Sequence, residues 1–264
     1  MGEIAVDNAS ILEVREVVMA FGGLMALYRP DFNVTRGTIK AIIGPNGAGK
    51  TTLFNVITGT FPPTEGEIRF NGRAITRLKA HEIAAIGISR TFQTVELFHN
   101  MSILENVMVG CHARTRSSFL SAALTLPRLR RQEEKTRSEA MEILRFIGLA
   151  KKYRDPADSL PVGEQKLLEI GRALASRPEL LCLDEPAAGL NETETHVASS
   201  LIQAIRERGI TVLLVEHDMR VVMDISDEIM VLNYGQKIAE GTASQIQADS
   251  KVIEAYLGSE EMHA

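Results

Sequence analysis

Gly44-Pro45-Asn46-Gly47-Ala48-Gly49-Lys50-Thr51 is the stretch on which the fold turns. It matches G-x-x-x-x-G-K-[ST], between a short apolar run (Ile39 to Ile43) and a segment with Leu53, Phe54, Val56 and Ile57 at helical spacing. Strand, glycine-rich turn and helix is the context in which this pattern carries meaning. Its glycines let backbone amides turn inward as an anion-binding nest, and the following helix adds the positive end of its dipole. Lys50 reaches the β- and γ-phosphates, and the Thr51 hydroxyl is a Mg²⁺ ligand. Average residue frequencies give such a match by chance on the order of one time in a hundred chains of this size. The segment reads as a nucleoside triphosphate site.

Working outward, residues 11–21 alternate apolar and polar side chains (Leu12, Val14 against Glu13, Arg15), which predicts a half-buried strand. Glu67 to Arg73 carries Asn71-Gly72 in its middle, a tight hairpin turn. From residue 94 to 177 helical patterns take over, no strand is evident, and basic residues gather at Arg114, Arg116, Arg128, Arg130 and Arg131. Strand-like runs return at Leu180 to Leu183, Ile210 to Val215 and Ile229 to Leu232. Between the first two lies a helix with Asn191 as N-cap, Glu192 and Glu194 at the positive end of the dipole, and Gly209 as stop. Its apolar face is expected to be Val197, Leu201, Ile202 and Ile205. The expected class is α/β, with a core from 1–93 and 178–264 and an inserted helical part over 94–177, all within one domain, 1–264.

Composition limits the alternatives. The chain has 264 residues, 45% hydrophobic and 24% charged, which are globular values. Apolar runs of about six residues fall far short of the roughly 20 that span a bilayer. MGEIAVDNAS at the N-terminus has neither the basic nor the apolar region of a secretory signal. Two cysteines, Cys111 and Cys182, suit small buried apolar positions in a reducing compartment. A net charge of −5 argues against a general nucleic-acid binder.

A second stretch carries chemistry: Leu180-Leu181-Cys182-Leu183-Asp184-Glu185-Pro186, an apolar run ending in adjacent carboxylates. A buried parallel strand delivers its C-terminal end to the ligand crevice of an open α/β sheet. There Asp184 would hold Mg²⁺, directly or through water, and Glu185 would polarise the water attacking the γ-phosphate. Two solvated acids at a strand end are the other reading. His217 follows the run Ile210 to Val215 and is either structural or a γ-phosphate contact. Gln93, in Arg90-Thr91-Phe92-Gln93, gains meaning only beside the others.

The ordered set Gly44 to Thr52, Gln93, Leu160-Pro161-Val162-Gly163-Glu164-Gln165, Leu180 to Glu185 and His217 resembles the nucleotide-binding domain of ABC transporters over nearly the whole chain. Ser89 to Gln93, Asp184 to Asn191, Val215 to Asp218 and Ala255-Tyr256-Leu257-Gly258 are similar to the ATP-binding subunits of branched-chain amino acid importers. The resemblance implies a P-loop core, an N-terminal antiparallel β subdomain and an inserted helical subdomain. It implies ATP and Mg²⁺ as cofactors. The phosphates would be held by Gly44, Pro45, Asn46, Gly47, Ala48, Gly49, Lys50, Thr51 and Thr52, and the metal by Thr51, Asp184 and Gln93. Glu185, His217 and Gln93 would be catalytic. Phe21 would either stack on the adenine or pack in the core.

Gly163, Glu164 and Gln165 would cover ATP bound to an opposing subunit, and Ala188 to Asn191 would form the loop at the dimer interface. Two departures stand out. Pro161 and Val162 replace the serine and first glycine of the usual Leu-Ser-Gly-Gly-Gln, and Asn191 replaces a commoner aspartate. The implied function is ATP hydrolysis powering solute uptake, for branched-chain amino acids. The implied partners are a second ABC ATPase subunit, identical or related, transmembrane permease subunits and, indirectly, a solute-binding protein, with no nucleic acid. The implied place is the cytoplasmic face of the cytoplasmic membrane, as a peripheral subunit. Urea or amide importers and lipopolysaccharide exporters carry similar ATPases. A soluble ABC ATPase acting on DNA or ribosomes fits less well, since there is one cassette, no heptad array and a net acidic charge. The segment Phe119 to Leu126 would lie on a membrane or pack on its own subdomain.

Overall fold

Strands buried on both faces read as continuous apolar runs, and pairing them in parallel requires long crossovers that cover those faces. The computed structural model, which describes residues 10–112 and 126–260, shows this arrangement. β4 (Ile39–Ile43), β7 (Ile88–Arg90), β8 (Leu180–Asp184), β9 (Thr211–Val215) and β10 (Glu228–Asn233) pair in parallel, and β11 (Gln236–Gly241) adds an antiparallel edge to β10. The order across the sheet is β11-β10-β4-β9-β8-β7. A second, antiparallel sheet is built from β1 (Ser10–Phe21), β2 (Leu24–Tyr28), β3 (Phe32–Thr35), β5 (Glu65–Phe70) and β6 (Arg73–Ala74). Asn71 and Gly72 join its last two strands with φ of 51° and 73°, the signs a type I′ turn demands.

Helix α1 (Lys50–Ile57) follows the glycine loop and fills the space between the sheets. Its Leu53, Phe54, Val56 and Ile57 pack with Val14, Phe32 and Phe70 on one side and with Ile42, Cys182 and Leu213 on the other. Burial there pushes the Cys182 thiol up to about 12. The opposite face of the parallel sheet (Leu181, Leu183, Val212, Leu214) packs against helices that follow: α3 (Ile103–His112), α5 (Val162–Leu174) and α6 (Glu192–Glu207). Between Gln93 and Arg177 the described residues hold α3, α4 (Leu126–Phe146), α5 and two single 3-10 turns, but no strand. The C-terminal part adds α7 (Met219–Ile225), α8 (Ala243–Ala248) and α9 (Ser250–Glu260), while α2 (Ala80–Ala85) precedes β7. No helix among the described residues is long and apolar enough to cross a membrane. Residues 119–125, and Arg114 and Arg116, lie outside the described residues, so the membrane-facing reading of that stretch has no structural counterpart.

Lys40 interrupts the apolar run of β4 and is nevertheless 1% exposed. Its ammonium donates to Asn33 O at 2.6 Å and to Glu228 at 2.8 Å, and also to Glu240, so the buried charge is satisfied by β3, β10 and β11 together. One sequence expectation fails. Val197 is 47% exposed, and the buried face of α6 is Ala198, Ser199, Leu201, Ile202 and Ile205. A 3.6-residue period places Ala198 and Ser199 on that stripe, and reading only large apolar side chains passes over small ones.

The Asn191 cap is formed in both directions: Asn191 Oδ1 accepts the Glu194 amide at 3.0 Å and Glu194 accepts the Asn191 amide at 3.1 Å. Asn191→Ala is expected to cost about 1 kcal/mol, a fall of roughly 2–4 °C in the thermal midpoint for a chain of this size, read by calorimetry.

Candidate nucleotide site

Parallel strands leave all their C-terminal ends on one edge, and the segments of interest leave from that edge. The loop after β4 turns through Gly44, Gly47 and Gly49 at φ of 153°, 80° and 101°. Gly44 also passes so close to β10 that a Cβ there would lie 2.0 Å from the Leu232 carbonyl oxygen. No other residue fits. The Gly235 amide donates to Ala48 O at 2.9 Å, fixing the loop from the β10–β11 turn, and the Tyr256 hydroxyl of α9 hydrogen-bonds the Gly44 backbone. Lys50 opens α1, and its Nζ donates to Gly44 O at 2.7 Å and Pro45 O at 3.0 Å. Burial lowers its pKa, against the pull of Glu185 and Asp184. Asn46 and Thr51 are exposed, whereas Pro45 and Thr52 are half-buried.

β8 ends at Asp184, which is 2% exposed and pairs with Arg90 Nη2 at 2.7 Å. Burial raises the Asp184 pKa, and the Arg90 guanidinium opposes the rise. Arg90 also donates to Asn55 Oδ1 at 2.6 Å and Thr58 Oγ1 at 3.2 Å, tying β7 to the end of α1. Sequence reasoning quoted Arg90 only as part of a motif and gave it no role. A lone arginine at the end of a strand-like run was the available signal.

Glu185 sits at φ 49°, and its amide donates to Val215 O at 2.9 Å. Its Oε2 accepts Gln93 Nε2 at 3.0 Å and lies 3.7 Å from His217 Nδ1. Three residues picked from separate parts of the sequence thus meet at one carboxylate. The neighbouring Glu216 is fully buried and takes the amides of Ala187 at 2.7 Å, His217 at 3.0 Å and Asp218 at 3.4 Å, locking two loops together. Sequence reasoning passed over it. Phe21 is 47% exposed, with its ring edge-on to Phe61 at 5.4 Å, so core packing falls and an open aromatic face remains.

Gly163, Glu164 and Gln165 have partners of their own. Glu164 pairs with Lys152 at 2.5 Å, and Gln165 donates to Leu160 O at 2.8 Å. Pro161 is the N-cap of α5, a position where its missing N–H costs nothing. A divalent cation held by the Thr51 hydroxyl, the Asp184 carboxylate and the Gln93 amide oxygen would meet only hard oxygen donors, which fits Mg²⁺. The described residues contain no group of three His, Cys, Asp or Glu that would hold a transition metal instead.

A glycine loop at positive φ, a buried lysine inside it and a carboxylate-ended strand beside it define a P-loop nucleoside triphosphatase. Residues 27–188 match the family described as ABC transporter, and residues 236–261 match the branched-chain amino acid ATP-binding cassette transporter family. The chain belongs to the ABC transporter ATPases, which hydrolyse ATP to drive transport. It is 45% identical to a high-affinity branched-chain amino acid transport ATP-binding protein of Pseudomonas aeruginosa, over 94% of this chain and 98% of that one. It is 42% identical, at the same coverage, to the protein of that description in Escherichia coli. Among solved structures, the ADP conformation of an ATP-binding cassette of an ABC transporter superposes with a TM-score of 0.84 at 36% identity, covering 95% of this chain and 99% of that one. A dimeric cassette in a post-hydrolysis state with ADP and Pi gives a TM-score of 0.75 at 26% identity, over 88% of this chain and 98% of that one.

A Cβ on Gly163 would lie 2.8 Å from the Glu194 carboxyl group, which the Asn191 cap uses. The end of that flexible side chain can swing aside, and alanine has the better helix propensity, so Gly163→Ala is expected to change stability by less than about 1 kcal/mol, read by urea unfolding. Gly163→Asp sets a second carboxylate against Glu194 and should cost more.

Proposed function

We propose that this chain is the ATP-hydrolysing subunit of an importer for branched-chain amino acids, peripheral on the cytoplasmic face of the membrane. The observation that carries the chemistry is the convergence of Gln93 and His217 on the Glu185 carboxylate. The solute class is supported by the relatives and by the C-terminal match at residues 236–261.

In this reading the loop amides and Lys50 bind the β- and γ-phosphates, and Phe21 stacks on the adenine. Thr51, Asp184 and Gln93 hold Mg²⁺, which supplies charge neutralisation on the phosphates. Glu185 accepts the proton of the attacking water, Gln93 orients that water, and His217 donates toward the γ-phosphate. Residues 160–165 close over ATP held by a second ATPase subunit. Backbone donors of the Gly163 segment and the α5 dipole serve there without a serine hydroxyl.

A groove of about 560 Å³ runs between α2 and β7 on one side and α3 and α5 on the other. Ile83, Phe92, Leu97, Phe98 and Arg172 line it, with Phe98 45% exposed and its ring 5.4 Å from the Arg172 guanidinium. We assign this groove to the permease subunits, with residues 94–177 as the part that responds to ATP.

Lys50→Ala should weaken ATP binding roughly ten- to hundredfold, the worth of a charge-assisted contact. Glu185→Gln should leave binding intact and lower turnover about 10²–10⁴-fold, trapping an ATP-dependent dimer. Near-normal turnover by Glu185→Gln would remove the base assignment. Photo-cross-linking from Phe98 or His99 in native membranes should capture permease protein, and mass spectrometry of the purified assembly should reveal a solute-binding partner. Labelling confined to the opposite face would reject the docking site.

A further inference from the structure

One helix grips both segments that carry the water-directing groups. Lys166, on α5, is 8% exposed, and its Nζ donates to the Glu185 carbonyl oxygen at 2.9 Å. Three residues further along the same helix, Glu169 is 4% exposed and accepts the Phe92 amide at 3.1 Å, immediately before Gln93. The side chains of Glu185 and Gln93 then meet each other at 3.0 Å. α5 thus holds the backbone on both sides of the pair.

Glu185 needs holding. Its φ of 49° is in the left-handed region, which is unfavourable for any residue with a Cβ and persists only where the surroundings enforce it. Its amide is held by Val215 O at 2.9 Å, and its carbonyl takes the Ala188 amide at 3.2 Å as well as the Lys166 ammonium. Val215 and Ala188 belong to the neighbouring strand and to the turn itself. Lys166 alone of these three comes from α5, whose first turn includes Val162 and Gly163. Displacing α5 by an ångström would stretch that contact beyond hydrogen-bond range, and the ammonium can follow only as far as its buried stem allows.

We propose that Lys166 is a positioning residue for ATP hydrolysis: by clamping the Glu185 carbonyl it makes the placement of the Glu185 carboxylate depend on the position of α5. The proposal rests on the reading of Glu185 as the group that activates water. It gives closure over residues 160–165 a direct mechanical route to the carboxylate, because the same helix carries both.

The test uses the full chain, with ATP turnover, ATP affinity and thermal midpoint measured separately. Lys166→Met should lower kcat about tenfold or more, the worth of one charge-assisted hydrogen bond, and leave KM for ATP within about twofold. Lys166→Arg keeps a cationic donor of similar reach and should recover kcat to within about threefold of the unaltered chain. In single-turnover measurements, Lys166→Met added to Glu185→Gln should cause no further loss, since the two act through one group. Unchanged kcat in Lys166→Met overturns the proposal. So does a loss that Lys166→Arg does not recover and that tracks a lowered thermal midpoint, or a full additional loss in the Glu185→Gln background. Full turnover by Glu185→Gln is a separate result, which removes the carboxylate's role and the clamp's purpose with it.

Discussion

Five strands running the same way can expose their C-terminal ends only on one edge of a sheet, and that polarity organises everything else in the molecule. The register does the rest. Ile42 and Asp184 both lie opposite Val215, so the loops after β4, β8 and β9 start within about one residue of one another, and β7 ends at Arg90 opposite Cys182, two residues short of them. Side chains far apart in the chain then reach a common point without any loop needing to be long. The burial of both faces, by α1 on one side and α3, α5 and α6 on the other, is what keeps that register from slipping.

The edge carries an unusual load of charge for a place so little exposed. Asp184, Glu216, Lys166, Glu169 and Lys50 are all 8% exposed or less. Each is satisfied by a specific partner: Arg90, three amides, the Glu185 carbonyl, the Phe92 amide and the loop carbonyls, in that order. Replacing such groups with apolar ones of similar shape is often neutral or stabilising in general. Their retention here fits a site that must present charge at fixed points rather than maximise stability.

Those parts of the site that are local in sequence were legible in it. The phosphate loop, the Asn71-Gly72 turn and the Asn191 cap each need only a few adjacent residues, and their geometry follows from φ preferences and short-range hydrogen bonds. Asp184 and Glu185 were legible because a buried strand must end where a sheet meets its crevice. What could not be read was pairing across the sheet. Arg90, Glu216 and Lys166 look like ordinary charged residues until strands and helices distant in sequence bring their partners. Lys40 contradicts the apolar pattern of its own strand and makes sense only beside Asn33, Glu228 and Glu240. Val197 erred the other way, because a large apolar side chain was taken as buried where Ala198 and Ser199 hold the stripe. For Phe21, the sequence allowed adenine stacking or core packing, and its 47% exposure speaks against core packing.

The position of β4 in the sheet also bears on how the chain is made. β4 and its glycine loop leave the ribosome well before their sheet neighbours β9 and β10, and Lys40 and Glu228 are 188 positions apart. At about 5–20 residues per second, that gap lasts roughly 10–40 seconds. For most of it the Ile39–Ile43 run has neither of its sheet neighbours, β9 arriving shortly before β10. The glycine loop is thus translated long before the β10–β11 turn, whose Gly235 amide braces it.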